Sequence, residues 1–156
     1  MSAPRRRRSS LSSETGAELI EFAISLPVLL LIGLGIVDFG LLFQRFLVVT
    51  NAAREGARVA SLPGYGDADV VTRVNQYLTA GGLTGAHDAP VITHPAPVAV
   101  GLNCAAVTSV TVTYPTKLSF VAGMASYFGV SGFASREVVT ATSEMRNEVP
   151  AAGCGP

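Results

Sequence analysis

Residues 22–43 read FAISLPVLLLIGLGIVDFGLLF, and Asp38 is the only charged residue among them. At about 1.5 Å per residue, a helix of this length spans roughly 33 Å, which is enough to cross the hydrocarbon core of a membrane. The core helix of a soluble protein is the alternative. Such a helix needs a large surrounding core, and the roughly 110 residues that follow hardly provide one. The sequence therefore predicts one membrane-spanning helix.

The composition of the whole chain agrees with a membrane-attached protein. The chain has 156 residues, with 11 Lys and Arg balanced by 11 Asp and Glu. Charged residues make up 14% of the chain, against roughly 25% in a typical soluble domain, and the mean hydropathy is +0.43. A basic surface is the electrostatic signature of nucleic-acid binding. A chain with no net charge is therefore not expected to bind nucleic acid.

The charges on either side of the apolar run predict its orientation. Four consecutive arginines, Arg5 to Arg8, precede the run, and Arg45 is the first basic residue after it. By the positive-inside rule, the N-terminus lies in the cytoplasm and the C-terminal part lies outside the cytoplasmic membrane. A cleaved secretory signal peptide is the alternative, but its apolar region has about 7–15 residues and ends at a small-x-small site. The run here is longer and continues to Phe46 without such a site, which favours a retained anchor.

The segment between the basic head and the apolar run resembles a known processing site. A Gly, four residues, a Glu and an aromatic residue is the pattern of type IV pilin-like proteins, in particular the tight-adherence (Flp) pilins, although Phe22 stands where Tyr is usual. Over residues 16–60 the chain resembles the TadE family of pilus-assembly pseudopilins. The matching segments are Gly16-Ala17-Glu18-Leu19-Ile20-Glu21-Phe22, then Pro27, then Asn51-Ala52-Ala53-Arg54-Glu55-Gly56-Ala57-Arg58-Val59-Ala60.

This resemblance implies how the protein is processed and what it contacts. A membrane prepilin peptidase would cut between Gly16 and Ala17 and remove a basic leader, residues 1–16. Glycine has no Cβ to hinder the approach of a protease to the backbone. Glu21 would then pair with the new terminal amine of its own helix or of a neighbouring subunit, and an ordinary carboxylate at the membrane edge is the alternative. The implied partners are the prepilin peptidase, other pilins and pseudopilins, the pilus assembly platform and membrane lipid.

Polar and small residues inside the apolar run are further candidates for recognition or assembly. Pro27 removes one backbone hydrogen bond about ten residues into the mature helix and should kink it locally. Asp38 has no basic residue within one turn, so it either contacts another helix of an assembly or reaches the outer headgroups. Gly33 and Gly40 lie on the same helical face as Val37, where small residues permit close helix contact.

The helix is predicted to extend past the membrane, over residues 17–62 in all. Small residues recur on one side of its outer part, which indicates that another element, such as the sheet of a head domain, packs close to it. Glu55 and Arg58 form an i,i+3 pair on the other side. Arg54 and Arg58 either contact lipid headgroups or lie on a solvated or subunit-facing side, and the second interpretation is favoured. The small residues are Ala53, Gly56, Ala57 and Ala60.

Residues 63–156 are predicted to form an extracytoplasmic, pilin-like head. A short helix is expected over residues 67–78, with Asp67 as its N-cap. Alternating Val and Thr residues predict antiparallel strands. The fold class is therefore α+β, with a long transmembrane helix that extends into a head made of a short helix and a small antiparallel sheet. The other predicted elements are an irregular strand over residues 91–100, a strand over residues 106–114 ended by Pro115, a helical or loop segment over residues 118–127 and a last strand over residues 133–145.

The sequence offers no catalytic site in the head. His87 and His94 are the only histidines, and their spacing fits no zinc pattern, so no metal is predicted. There is no P-loop, Rossmann glycine run or GxSxG elbow, so no catalytic residue and no cofactor are predicted. Cys104 and Cys154 are expected to form a disulfide because the head is predicted to be extracytoplasmic, and two free thiols are the alternative.

Together, these features predict a structural protein. It would be a minor pseudopilin of the cytoplasmic membrane, processed after Gly16 and needed to assemble a tight-adherence pilus, with no chemistry of its own. The alternative is a single-pass anchored enzyme or binding domain, in which the head does the work and the helix only holds it. An anchor would tolerate scrambling of residues 22–43, and a pseudopilin would not.

Overall fold

The computed structural model describes residues 11–100, 103–127, 129–130 and 137–150. The predicted α+β class is confirmed, because a long apolar N-terminal helix and a short helix accompany an antiparallel sheet. In chain order, the elements of the described residues are α1 (Leu11–Ser61), α2 (Asp67–Ala80), β1 (Val91–Thr93), β2 (Val98–Val100), β3 (Asn103–Thr116), α3 (Ser119–Tyr127) and β4 (Glu137–Pro150).

The helix α1 is continuous over 51 residues and contains Pro27. It begins at Leu11, ahead of the predicted start at Ala17, so the peptide bond between Gly16 and Ala17 lies within the helix. Its most apolar 18-residue window has a mean hydropathy of 2.4, and none of that window is buried by the rest of the protein. Among the described residues, α1 is the one helix that is long and apolar enough to cross a membrane.

The core of the head is built directly on the C-terminal part of α1. The buried residues of α2 recur every four residues, which places them on one face of that helix, against α1. The long apolar helix therefore continues into the folded head without a linker. The core consists of Val49, Ala52, Ala53 and Ala57 of α1, Val70, Val74 and Leu78 of α2, Val110, Val112 and Tyr114 of β3, and Val139 of β4, together with Val59 and Leu83.

The long strand β3 organises the sheet. The strand β4 runs antiparallel to it, from the pair Thr116–Glu137 to the pair Ala105–Pro150. The strand β1 pairs with residues 109–111 of β3, and β2 pairs with residues 103–105. The alternation along β3 places Val110 and Val112 in the core, and Thr111 and Thr113 on the opposite face, where their hydroxyls pair with threonines of β4.

The strand bounds differ from the prediction in ways that the prolines explain. The single strand expected over residues 91–100 is two short strands, because Pro95 and Pro97 between them cannot donate to a ladder. The strand β3 continues through Pro115 instead of ending there. Among the described residues, Pro115 has a neighbouring strand on one side only, which is β4. The strand can therefore continue, because proline lacks only one backbone N–H donor. The strand β4 extends to Pro150, while residues 133–136 of the predicted strand lie outside the described residues.

The N-cap of α2 is Gly66, so the prediction of Asp67 is wrong by one residue. Gly66 has an extended backbone, and its N–H donates to Oδ2 of Asp69 at 2.9 Å. Asp67 and Asp69 both lie in the first turn of the helix, where a carboxylate complements the helix dipole. The start of α2 is therefore stabilised by carboxylates inside the helix and not by a side chain at the cap.

The contact between α1 and α2 is closest at Gly56. A Cβ at this position would stand 2.6 Å from Cγ2 of Val74 and 3.2 Å from Cγ1 of Val110. Carbon atoms in a packed interior do not approach to 2.6 Å, since the optimal separation is about 3.5–4.0 Å. The small residues of α1 thus let both α2 and the sheet approach the helix backbone.

We expect Gly56→Ala to lower the free energy of unfolding of the head by about 1 kcal/mol, because overpacking costs roughly 1–3 kcal/mol and alanine recovers only about 1 kcal/mol of helix propensity. Thermal unfolding of the full chain in detergent micelles, followed by near-ultraviolet circular dichroism, measures the change. Gly40→Ala is the matched control, because no atom lies within 4 Å of its added Cβ. Equal stability of the two variants would contradict the close contact at Gly56.

Candidate functional site

The predicted processing junction lies on an exposed stretch of α1. Residues 16–22 are all exposed, and no neighbouring atom lies within 4 Å of the position where a Cβ of Gly16 would stand. Phe22 is 59% exposed. One turn later, the Ser25 hydroxyl donates to the backbone carbonyl oxygen of Glu21. Nothing in the described part of the chain covers the junction, so a protease could reach it if the helix opens locally.

Asp38 is buried, in contrast to the apolar residues around it. It is only 4% exposed, whereas Phe39 beside it is 69% exposed. Its carboxylate accepts hydrogen bonds from the backbone N–H groups of the first residues of α3. The distances are 3.2 Å from Ser119 N to Oδ1, 3.2 and 2.9 Å from Phe120 N to Oδ1 and Oδ2, and 2.7 Å from Val121 N to Oδ2.

This arrangement differs from both interpretations of Asp38 that the sequence left open. The carboxylate caps a helix of its own chain, whereas the sequence left open a contact with another helix of an assembly or with the outer headgroups. The first N–H groups of a helix have no partner within the helix, and a negative charge at this end is favourable. Asp38 therefore receives the donors that no basic side chain supplies, and α3 is fixed against the apolar part of α1.

A second polar cluster joins α1 to α2 above the span. Glu55 accepts from Arg58 at 2.8 and 3.0 Å, and from Arg73 of α2 at 2.8 and 3.0 Å. Hydrogen bonds from Arg58 and then from Arg73 lower the pKa of Glu55 from 4.5 to about 2, while partial burial acts in the opposite direction. The same carboxylate raises the pKa of Arg58. Arg54 is exposed and lies outside this cluster.

The described cysteine and the two histidines of the head make contacts that fit a structural role. Cys104 is disulfide-bonded, and Cys154 lies outside the described residues, so their pairing stays a prediction. His87 contacts the side-chain oxygen of Asn75 at 3.1 Å, and His94 contacts Oδ1 of Asp67 at 3.2 Å. Within the described ranges, no three His, Cys, Asp or Glu residues are grouped so that they could hold a metal ion.

The sequence reasoning missed the two partners that come from distant parts of the chain. The sequence pattern predicts for Arg73 only a place in the short helix over residues 67–78, yet Arg73 completes the Glu55 cluster. The sequence predicts a helical or loop segment over residues 118–127, and this segment supplies the donors for Asp38. A signal for the second was present, because residues 118–135 contain no charged side chain at all, and such a segment needs an apolar surface to contact.

Comparison with protein families matches residues 16–58 to the TadE-like protein family. This confirms the resemblance noted from the sequence and gives it nearly the same bounds. The match covers the junction, the apolar part of α1 and the segment with Glu55, Gly56 and Arg58, and it ends before α2 begins. Comparison of the chain with curated proteins and with solved structures gives no match.

We expect Asp38→Leu to release the start of α3, because three backbone N–H groups would lose their acceptor and each unpaired buried group costs about 1–3 kcal/mol. Hydrogen–deuterium exchange of the amides of residues 119–121, measured on the full chain in micelles, should become much faster. Asp69→Asn is the matched control, since it changes the carboxylate that caps the other short helix. It should leave exchange at residues 119–121 unchanged. Slow exchange in Asp38→Leu would show that the cap is dispensable.

We expect Glu55→Gln to lower the free energy of unfolding by about 1–2 kcal/mol at pH 7, a range that allows for screening at two exposed arginines. Because the folded protein lowers the pKa of Glu55 from 4.5 to about 2, its contribution is present above pH 4.5 and is lost as the pH falls toward 2. Denaturant unfolding of wild type and variant from pH 7 to pH 2 measures this.

The control for the pH series is Glu144→Gln, which changes an exposed carboxylate of β4 and should shift stability by less than about 0.5 kcal/mol at any pH. The stability difference between wild type and Glu55→Gln should shrink as the solution is acidified. A difference that stays constant from pH 7 to pH 2 would exclude the ion cluster as its cause.

Proposed function

We propose that the chain is a TadE-like minor pseudopilin, a single-pass protein of the cytoplasmic membrane that takes part in assembly of a tight-adherence pilus. The observation that carries this proposal is the family match over residues 16–58, since it spans both the junction and the whole apolar run. The N-terminus would lie in the cytoplasm and the head outside, as the arginines at positions 5–8 favour. The protein would act by packing, with no catalytic chemistry of its own.

The structure supports a retained helix over a cleaved signal peptide. The part of α1 beyond the membrane supplies five of the core residues of the head, and Asp38 within the apolar run caps α3. A cut at the outer end of the run would separate Asp38 from the three N–H groups that it accepts from. Because the head and the apolar run share these contacts, we expect the helix to be retained as part of the fold and not removed as a signal peptide.

The proposed processing step changes the charge at the start of α1. A prepilin peptidase would cut after Gly16 and leave an ammonium group on Ala17. At a helix N-terminus an ammonium group opposes the helix dipole, whereas Glu18 and Glu21 complement it. Glu21 lies four residues from Ala17, so its carboxylate can reach the amine within one helix, or the amine of an adjacent subunit when two helices lie side by side.

We expect protein extracted from cells that contain the matching peptidase to begin at Ala17 when it is sequenced from its N-terminus. Gly16→Val should block the cut, because its branched side chain stands where the protease must approach the backbone. Glu21→Gln should still be cut but should assemble poorly, and Glu18→Gln is its matched control on the same turn. Pili are counted by electron microscopy.

Different outcomes would contradict different parts of the proposal. A wild-type chain that still begins at Met1 or Ser2 in such cells would exclude processing by a prepilin peptidase. If the chain is cut but deletion of the protein leaves the number of pili unchanged, the role in assembly is excluded. Normal pilus number in the Glu21→Gln variant would remove only the role of Glu21.

A further inference from the structure

The short helix α3 runs back along the apolar part of α1, away from the head. Its first residues meet Asp38, and Val121 lies next to Gly35. Further along, Ala125 and Val130 line a common apolar groove with Pro27, Val28 and Leu31. In α1, Pro27 lies 11 residues before Asp38, or about 16 Å toward the N-terminal end of the span. The helix α3 therefore descends beside the span toward the level of Val28 and Leu31.

Charged residues lie on either side of this uncharged segment. Arg45 donates to the backbone carbonyl oxygen of Lys117 at 3.4 Å, just before α3 begins. Glu137, at the start of β4, is exposed at the same end of the head, where β4 packs on Phe43 and Phe46. Between these limits, residues 118–135 carry no charged side chain. The chain thus leaves the level of the charged groups after Lys117 and descends along the span, and the described residue Glu137 lies at the level of the charged groups.

Each end of α3 has backbone groups that are paired within the protein. At the start, Asp38 accepts from three successive N–H groups. At the end, Val130 N donates to Ala125 O at 2.9 Å and Gly129 N donates to Ser126 O at 3.0 Å, with Gly129 at a positive φ of 76°. These are the two hydrogen bonds of a Schellman cap. The Ser126 hydroxyl is also paired, since it donates to Gly123 O at 2.8 Å.

This pairing is what hydrocarbon requires of a polypeptide. Water is absent from the bilayer core, so each backbone donor and acceptor there needs a partner in the protein. A short helix in water does not need both ends closed by its own chain. The exposed residues of α3 are all uncharged, namely Ser119, Phe120, Gly123, Ser126 and Tyr127, and Phe120 is 46% exposed. Tyr127, at the end of the helix, is 88% exposed.

We propose that α3 and its C-terminal cap lie inside the bilayer, where the exposed side of α3 contacts lipid acyl chains beside the span. The head would then hold to the membrane by two segments, the complete span of α1 and a partial insertion of α3. The inference rests on the membrane anchoring within the proposed function, because α3 lies against that span. It does not depend on the role in pilus assembly.

The absence of tryptophan from the chain allows a direct test, because each single tryptophan variant reports one position. Tyr127→Trp and Phe120→Trp are placed in the full chain and reconstituted into phosphatidylcholine vesicles that contain lipids with a doxyl group at carbon 5 or at carbon 12. Both variants replace one exposed aromatic side chain by another, so the fold should be unaffected. Tyr127→Trp should lose more emission to the deep quencher, and Phe120→Trp should lose more to the shallow one.

Two further variants serve as matched controls. Tyr65→Trp lies on the turn before α2, is 56% exposed in the native residue and should be quenched by aqueous iodide but by neither lipid. Phe39→Trp lies on the span beside Asp38 and should behave like Phe120→Trp. If Phe39→Trp is quenched by lipid while both α3 variants behave like Tyr65→Trp, the insertion of α3 is wrong and the anchoring stands. If Phe39→Trp is itself quenched only by iodide, the anchoring and the insertion of α3 are both wrong.

Discussion

The carboxylate of Asp38 and the N–H groups at the start of α3 depend on each other, and their pairing determines that α3 lies against the apolar part of α1. A carboxylate on an otherwise apolar helix is costly unless donors reach it. Free N–H groups at the start of a helix are equally costly away from water. Because each group removes the cost of the other, the chain after β3 turns back along α1.

The helix α1 meets two environments, and the size of its side chains changes where it passes from one to the other. Along the span its exposed residues are large, such as Ile24 at 70% and Ile36 at 70% exposure. From Ala52 onward the residues that face inward are small, and Gly56 brings the backbone itself into contact with Val74. Large apolar side chains thus surround α1 along the span, whereas small residues face α2 and the sheet in its outer part.

The sequence was informative wherever the signal is local. The apolar run, the fold class and the family resemblance could be read from residues close together in the chain, and these are confirmed. The partners of Asp38 and Glu55 could not be read in this way. Ser119 lies 81 residues after Asp38, and Arg73 lies 18 residues after Glu55. Pairing over such separations is set by tertiary packing, as is the register of β3 and β4, and no periodicity in the sequence encodes it.

The position of α3 also limits which side of the span can meet another helix. At about 100° per residue, Val28, Leu31 and Gly35 share the side that α3 covers, and Gly33 and Gly40 lie on the opposite side. Within the described structure, no neighbouring atom lies within 4 Å of an added Cβ at either of those two glycines. Small residues on an uncovered face are what close helix packing in a membrane requires. The side of Gly33 and Gly40 is therefore open to a neighbouring helix while α3 stays in place on the other side.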